Sequence, residues 1–204
     1  GIDPLDYELE SAKKYEMYDE LIEAFGNDIP KPDNYFNTVF SNSVLEHIED
    51  LDSVLKEVHR VMAPGGLLYV TIPTDKFDKY SLVSKVIYGM GLKSLGKKYN
   101  DFFNKFWKHY HYYDREGWIK TFERNGLKMV NVVEYGKSKD CLFNDIMVPF
   151  TLPNYVVKKL FNRWFLFVFL RRIYSGIWAS ILKPRVKLYP DLKDGGLIFF
   201  ALTK

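Results

Sequence analysis

Phe36-Asn37-Thr38-Val39-Phe40-Ser41-Asn42-Ser43-Val44-Leu45-Glu46-His47, followed by Arg60-Val61-Met62-Ala63-Pro64-Gly65-Gly66, decides how this 204-residue chain is read. Aromatic and β-branched residues over 36–41 predict a buried strand. Leu51, Leu55, Val58 and Met62 recur at spacings of four, three and four, one face of a helix. Pro64-Gly65-Gly66 is expected to end that helix. Leu67-Leu68-Tyr69-Val70-Thr71-Ile72 then predicts a second strand, apolar enough to be covered on both faces. Strand, helix and strand make one βαβ unit, and Ser41-Asn42-Ser43 falls where an open parallel sheet presents its ligand site.

Working outward, Gly1-Ile2-Asp3-Pro4 reads as the end of a strand, and residues 5–25 are rich in helix formers, with Leu9, Ala12, Tyr15 and Leu21 as inward positions. Asn27-Asp28-Ile29-Pro30 and Lys31-Pro32-Asp33-Asn34 are loop. Residues 76–108 are helical, aromatic and basic, placed to cover a site. Asp114 caps a helix bearing Trp118, Ile119 and Phe122 that Gly126 ends. Leu127–Tyr135 and Gly195–Thr203 are the last two strands, and residues 136–194 between them are longer than an ordinary connection. The whole chain, 1–204, reads as one domain with a helical, basic and aromatic insertion at 136–194.

These residues resemble the class I S-adenosylmethionine-dependent methyltransferases of the small-molecule type. That family's signature is a Phe-Asp-x-Val strand, a Leu-Glu-His and an Arg-Val-Leu-x-Pro-Gly-Gly; Asn37 stands here in place of the Asp. The resemblance implies an α/β fold, a doubly wound and mostly parallel seven-stranded-type sheet closed by an antiparallel pair. The family's glycine-rich loop, an acid followed by Gly-x-Gly, falls upstream of Gly1, so the chain reads as N-terminally truncated and lacking its first strand. Gly89-Met90-Gly91 and Gly96 do not replace that loop, because a phosphate-cradling turn follows a strand and opens a helix.

The implied cofactor is S-adenosylmethionine. By the resemblance, Asp3 takes the ribose hydroxyls, Asp28 the adenine amino group and Ile29 the adenine ring, while Ser41, Asn42 and Ser43 border the methionine part and the acceptor. The alternative for Asp3 is a capping residue before Pro4, and for Asp28 a solvated loop residue. His109 and Tyr113 match the family's His-x-x-x-Tyr segment near the acceptor. His titrates near neutral pH, so His109 is the first candidate base and His111 the second, on one face of an extended stretch with Tyr110 and Tyr112 opposite. His47 is either a third catalytic candidate or packing beneath the site, and Glu46 reads as helix-start chemistry. His109 and His111 lack a third spaced ligand, so no metal is expected.

Charge is segregated. Residues 1–60 carry 15 acids against 5 bases, whereas 151–187 carry 8 bases and no acid. Trp164-Phe165-Leu166-Phe167-Val168-Phe169-Leu170 is too short to span a bilayer, which takes roughly 20 residues. Residues 154–187 therefore suit an anionic membrane surface, a lid, or a homodimer interface. Nucleic acid is not expected, because the aromatics form a solid block. Cys141 is the only cysteine, so no internal disulfide forms. No signal-peptide pattern precedes the first strand, and a cytoplasmic protein, peripheral at the inner face of a membrane, is the expectation. The expected function is methyl transfer to a small-molecule, sugar or lipid-linked acceptor, at oxygen by family analogy. The alternative is a catalytically silent methyltransferase-like domain that binds a membrane or a protein.

Overall fold

The structure is a computed structural model, and it describes residues 1–161, 176, 180 and 192–204. Among the described residues six strands fall in two sheets. β1 (Ile2–Asp3) and β2 (Ile22–Glu23) form a parallel pair flanking α1 (Asp6–Lys13). β3 (Phe36–Asn42), β4 (Met62–Pro73), β5 (Lys128–Tyr135) and β6 (Leu197–Thr203) form a mixed sheet in the order β3-β4-β6-β5. β3 and β4 are parallel, and β6 runs antiparallel to both β4 and β5. The crossover from β3 to β4 is α2 (Leu51–Val61), as the spacing of Leu51, Leu55 and Val58 requires. Asp50 caps it by accepting from the Ser53 amide.

Pro64-Gly65-Gly66 does not end the helix. α2 stops at Val61, and the triplet lies inside β4 at an irregularity, where Phe36 pairs with Met62 but Thr38 with Leu67. The extra residues bulge out, and Gly65, at φ 75°, supplies the left-handed backbone the bulge needs. A Cβ at Gly66 would lie 2.8 Å from the Ala63 carbonyl oxygen, so the bulge also needs glycine there.

The core lies on one face of the larger sheet. Leu68, Val70 and Ile72 of β4 and Ile198, Phe200 and Leu202 of β6 meet Leu51, Leu55 and Val58 of α2. Trp118 and Phe122 of α5 (Arg115–Arg124) complete the layer. Each fully buried side chain of this kind contributes roughly 1.5–3 kcal/mol. Leu67, Tyr69 and Thr71 on the other face are only half-buried, so β4 alternates instead of being covered on both sides. In the first 25 residues the pattern also overreached: Leu9 is buried, but Tyr15 is exposed beyond the end of α1.

Between β4 and β5 the chain forms a 3-10 turn at Asp78–Tyr80, α3 (Leu82–Gly89) and α4 (Lys93–Phe106). Gly91, at φ 78°, turns α3 into α4, and Gly96 lets α4 approach the Tyr88 ring, where a Cβ would sit at 2.6 Å. α6 (Ser138–Phe161) follows β5 and makes the first part of the 136–194 insertion helical. Apart from residues 176 and 180, the remainder of the basic aromatic segment 154–187, including Trp164 and Phe167, lies outside the described residues. Among the described residues no helix is long and apolar enough to cross a membrane.

Candidate functional site

β3 and β4 end side by side, with Ser41 opposite Val70 and Asn42 opposite Thr71. The Thr71 hydroxyl donates to Asn42 Oδ1, and the Ser43 amide donates to the Thr71 carbonyl at 2.8 Å. Ser43 takes a left-handed backbone, φ 50°, and turns the chain sharply off the strand. A 3-10 turn at Leu45–His47 follows. Ser41 is half-buried at this edge, and Asn42 and Ser43 are exposed.

Against this turn lies the segment 108–113. The Glu46 carbonyl accepts from the Tyr110 amide at 2.8 Å, and Lys108 O is 3.2 Å from His47 Nδ1. Burial alternates along the segment: His109, His111 and Tyr113 are half-buried, while Tyr110 and Tyr112 are exposed. The rings of His47 and His109 lie 5.1 Å apart.

The three histidines differ in what their nitrogens do. His111 Nδ1 is 2.9 Å from the Tyr113 hydroxyl and Nε2 is 2.9 Å from the Ile48 carbonyl. A carbonyl only accepts, so Nε2 carries the proton and Nδ1 receives the hydroxyl's hydrogen bond. In that arrangement the Nδ1 lone pair is taken up by the Tyr113 hydroxyl, and His111 ties the segment to Ile48. His109 Nδ1 faces Asn104 Oδ1 at 3.1 Å, which leaves Nε2 with its lone pair. Burial, and then the neighbouring His47, push the His109 pKa down to about 4, so the ring is neutral at neutral pH. His47 likewise donates from Nδ1, to Lys108, with Nε2 3.8 Å from Glu46 Oε1.

Glu46 is more than a helix-start residue. It is buried, its Oε2 has no hydrogen-bond partner among the described residues, and burial holds its pKa above the usual carboxylate range. Asn104 and Asp78, also buried, were not legible as site residues. The signal for Asn104 was the spacing of four in Gly96, Asn100 and Asn104, three non-apolar residues on one helix face.

The cofactor candidates lie elsewhere. Asp3, ending β1, is half-exposed, and its Oδ1 accepts from the Leu5 amide at 2.9 Å. That bond is the local turn role, and it accounts for one of the two carboxylate oxygens. Asp28 is exposed, and Ile29 is packed inward with its amide on Glu57 Oε1 at 2.8 Å. Arg60 bonds the carbonyls of Ile29 and Lys31 at 3.0 and 2.9 Å, joining this loop to α2. The structure thus brings together Ser41–Ser43, His47, His109 and His111. Among the described residues no hydrogen bond joins them directly to Asp3 or Asp28.

The donor set fits a nucleoside sulfonium. The remaining Asp3 oxygen suits ribose hydroxyls, Asp28 an adenine amino group, and the orphaned Glu46 carboxyl a cationic or hydroxylic group at the strand ends. Among the described residues no cluster of three His, Cys, Asp or Glu is grouped to hold a metal ion.

Comparison with known proteins matches residues 1–70 to the family described as a methyltransferase domain. The sterol 24-C-methyltransferase of Aspergillus fumigatus is 31% identical over 86 residues, 38% of this chain and 23% of that protein. The human mitochondrial ubiquinone biosynthesis O-methyltransferase is 24% identical over 141 residues, 65% of this chain and 36% of that protein. The chain spans about a quarter of the length of the first such curated relatives. Among solved structures, an S-adenosylmethionine-dependent methyltransferase of Thermotoga maritima superposes with a TM-score of 0.58 at 16% identity, covering 100% of this chain and 72% of that one. The [4+2]-cyclase SpnF superposes equally, TM-score 0.58 at 13% identity, covering 100% of this chain and 64% of that one. Both show the fold.

Proposed function

We propose that the chain is a class I S-adenosylmethionine-dependent methyltransferase, a reading supported by the match of residues 1–70 to the methyltransferase domain family and by the shared fold, and that it takes part in methyl transfer to a hydroxyl of an apolar small molecule, with His109 as the proton acceptor. The observation that carries this reading is the state of His109: neutral, its Nδ1 engaged by Asn104, and its Nε2 without a hydrogen bond among the described residues. S-adenosylmethionine, when bound, supplies an electrophilic methyl group on a sulfonium. Asp3, Asp28 and Ile29 would hold its nucleoside, and Ser41–Ser43 its amino-acid part.

An attacking hydroxyl becomes strongly acidic as its oxygen gains a bond, so even a base of low pKa takes its proton efficiently. His109 Nε2 receives that proton. Phe77 and Phe103 stand 6.4 and 6.2 Å from the His109 ring, centroid to centroid, and give the acceptor an apolar wall. An apolar or lipid-linked acceptor agrees with that wall and with the sterol and ubiquinone-pathway relatives.

The test is transfer of labelled methyl groups by the full-length protein to a panel of hydroxylated acceptors of graded polarity. Transfer to apolar members, lowered about 10²–10⁴-fold in His109→Gln with cofactor binding intact, is expected. No transfer to any hydroxyl, or full activity in His109→Gln, contradicts the reading.

A further inference from the structure

α4 is turned against the usual hydrophobic order. Asn100 and Asn104 are each 6% exposed, while Leu95 is 50%, Phe102 62% and Phe106 64% exposed on the same helix. A helix surrenders apolar burial in this way only where polar contacts fix its rotation. Such contacts are present at both asparagines. Ser84, fully buried in α3, donates to Asn100 Oδ1 at 2.9 Å. Asn104 Nδ2 donates to Asp78 Oδ2 at 2.8 Å, and Asn104 Oδ1 faces His109 Nδ1 at 3.1 Å. The His109 amide also donates to the Asn104 carbonyl at 2.8 Å, so side chain and backbone are held by one residue.

We infer that Asp78 and Asn104 are positioning residues for His109, a relay that fixes the imidazole as the Nδ1–H tautomer and leaves Nε2 to accept the proton. As a carboxylate Asp78 receives only the amide hydrogens of Asn104, so it decides which way that amide points. The amide oxygen is then aimed at His109, and an oxygen there admits only a protonated Nδ1. A neutral amide between the carboxyl group and the ring keeps the orienting bond while sparing the imidazole a direct anionic partner. A carboxylate in that place would favour the imidazolium and hold the proton that the base must be free to take. The groups facing His109 are His47 on the preceding turn, Glu46 beside it, Asp78 through Asn104, and the neutral rings of Phe77 and Phe103.

This inference rests on His109 being the base, and the experiment separates the two claims. Nitrogen-resolved NMR of the full-length protein at neutral pH reads the tautomer without any substitution. The Nδ1–H form at His109 is expected, and the Nε2–H form overturns the relay. In Asn104→Asp the acid limb of kcat/KM is expected to move up by about one pH unit or more as the ring gains a carboxylate. In Asn104→Leu kcat is expected to fall about tenfold or more with KM for the cofactor unchanged. An unchanged pH profile and kcat in both variants, alongside a His109→Gln that is inactive, overturns the relay alone. An active His109→Gln overturns the base reading and the relay with it.

Discussion

Arg60 holds Glu57 by two hydrogen bonds, Nε to Oε2 at 2.8 Å and Nη2 to Oε1 at 2.7 Å. Such a fork is the strong form of ion pair. The same guanidinium also reaches Asp33 Oδ1 at 2.7 Å and the carbonyls of Ile29 and Lys31, while Glu57 accepts from the Ile29 amide. One arginine on α2 thus sets the loop that bears Asp28 and Ile29. Arg60→Ala is expected to weaken S-adenosylhomocysteine binding about tenfold, the scale of one lost charge-assisted contact. kcat at saturating cofactor should stay near wild type. Arg60→Lys should recover little of the loss, because an ammonium cannot reproduce the fork. Calorimetric titration beside steady-state kinetics checks both points.

His111 spans the Tyr113 hydroxyl and the Ile48 carbonyl. His111→Phe leaves both without that partner and is expected to lower folding stability by about 1–3 kcal/mol. The acid limb of activity should not move. Denaturant unfolding and a pH–rate profile test the two halves, and a moved limb would return His111 to the catalytic group.

His109 makes stability depend on pH with a known sign. Its folded pKa of about 4 lies below the ordinary value of 6.5. The unfolded chain therefore binds this proton first, and stability is lost as pH falls from about 6.5 through 4. Glu46 and Asp78, raised by burial, tilt the other way, so the readout is a difference. His109→Gln should flatten the fall in stability over this window relative to wild type.

Cys141 packs against Gly196, where a Cβ would lie 2.7 Å from Sγ. Burial, followed by Asp140 and Asp145, pushes its thiol pKa up to about 11. A thiol reagent at pH 8 should leave Cys141 unmodified in the folded protein and modify it in denaturant. Gly196→Ala should destabilise the start of β6 and expose the thiol to the same reagent.

Trp118 is fully buried, and its indole donates to the Pro73 carbonyl at 3.3 Å, at the end of β4. Trp118→Ala is expected to cost about 3–5 kcal/mol. Its effect on methyl transfer should track unfolding, as thermal melts beside activity at low temperature would show.

Where a pattern was long and local, the sequence carried the fold. β3, α2 and the apolar run of β4 follow from periodicity over 36–72, and Asp114 and Gly126 bracket α5. Pro64-Gly65-Gly66 was misread because a bulge and a helix stop use the same residues; only pairing with Phe36 and Thr38 tells them apart. β1 and β2 are two residues each, too short for a period. At the site, His109 and His111 look alike in sequence. What separates them is Ile48, 63 residues from His111, and an asparagine one turn before His109. Asn104 and Asp78 stayed hidden because their helices also carry the basic and aromatic residues that draw the eye.

The most direct test of the account is calorimetric titration of S-adenosylhomocysteine into the full-length protein and its Asp3→Ala variant. One saturable site, weakened about tenfold or more by the substitution, is predicted. Absence of binding by the wild-type protein would contradict the methyltransferase reading, and binding indifferent to Asp3 would contradict the cofactor site placed at the end of β1.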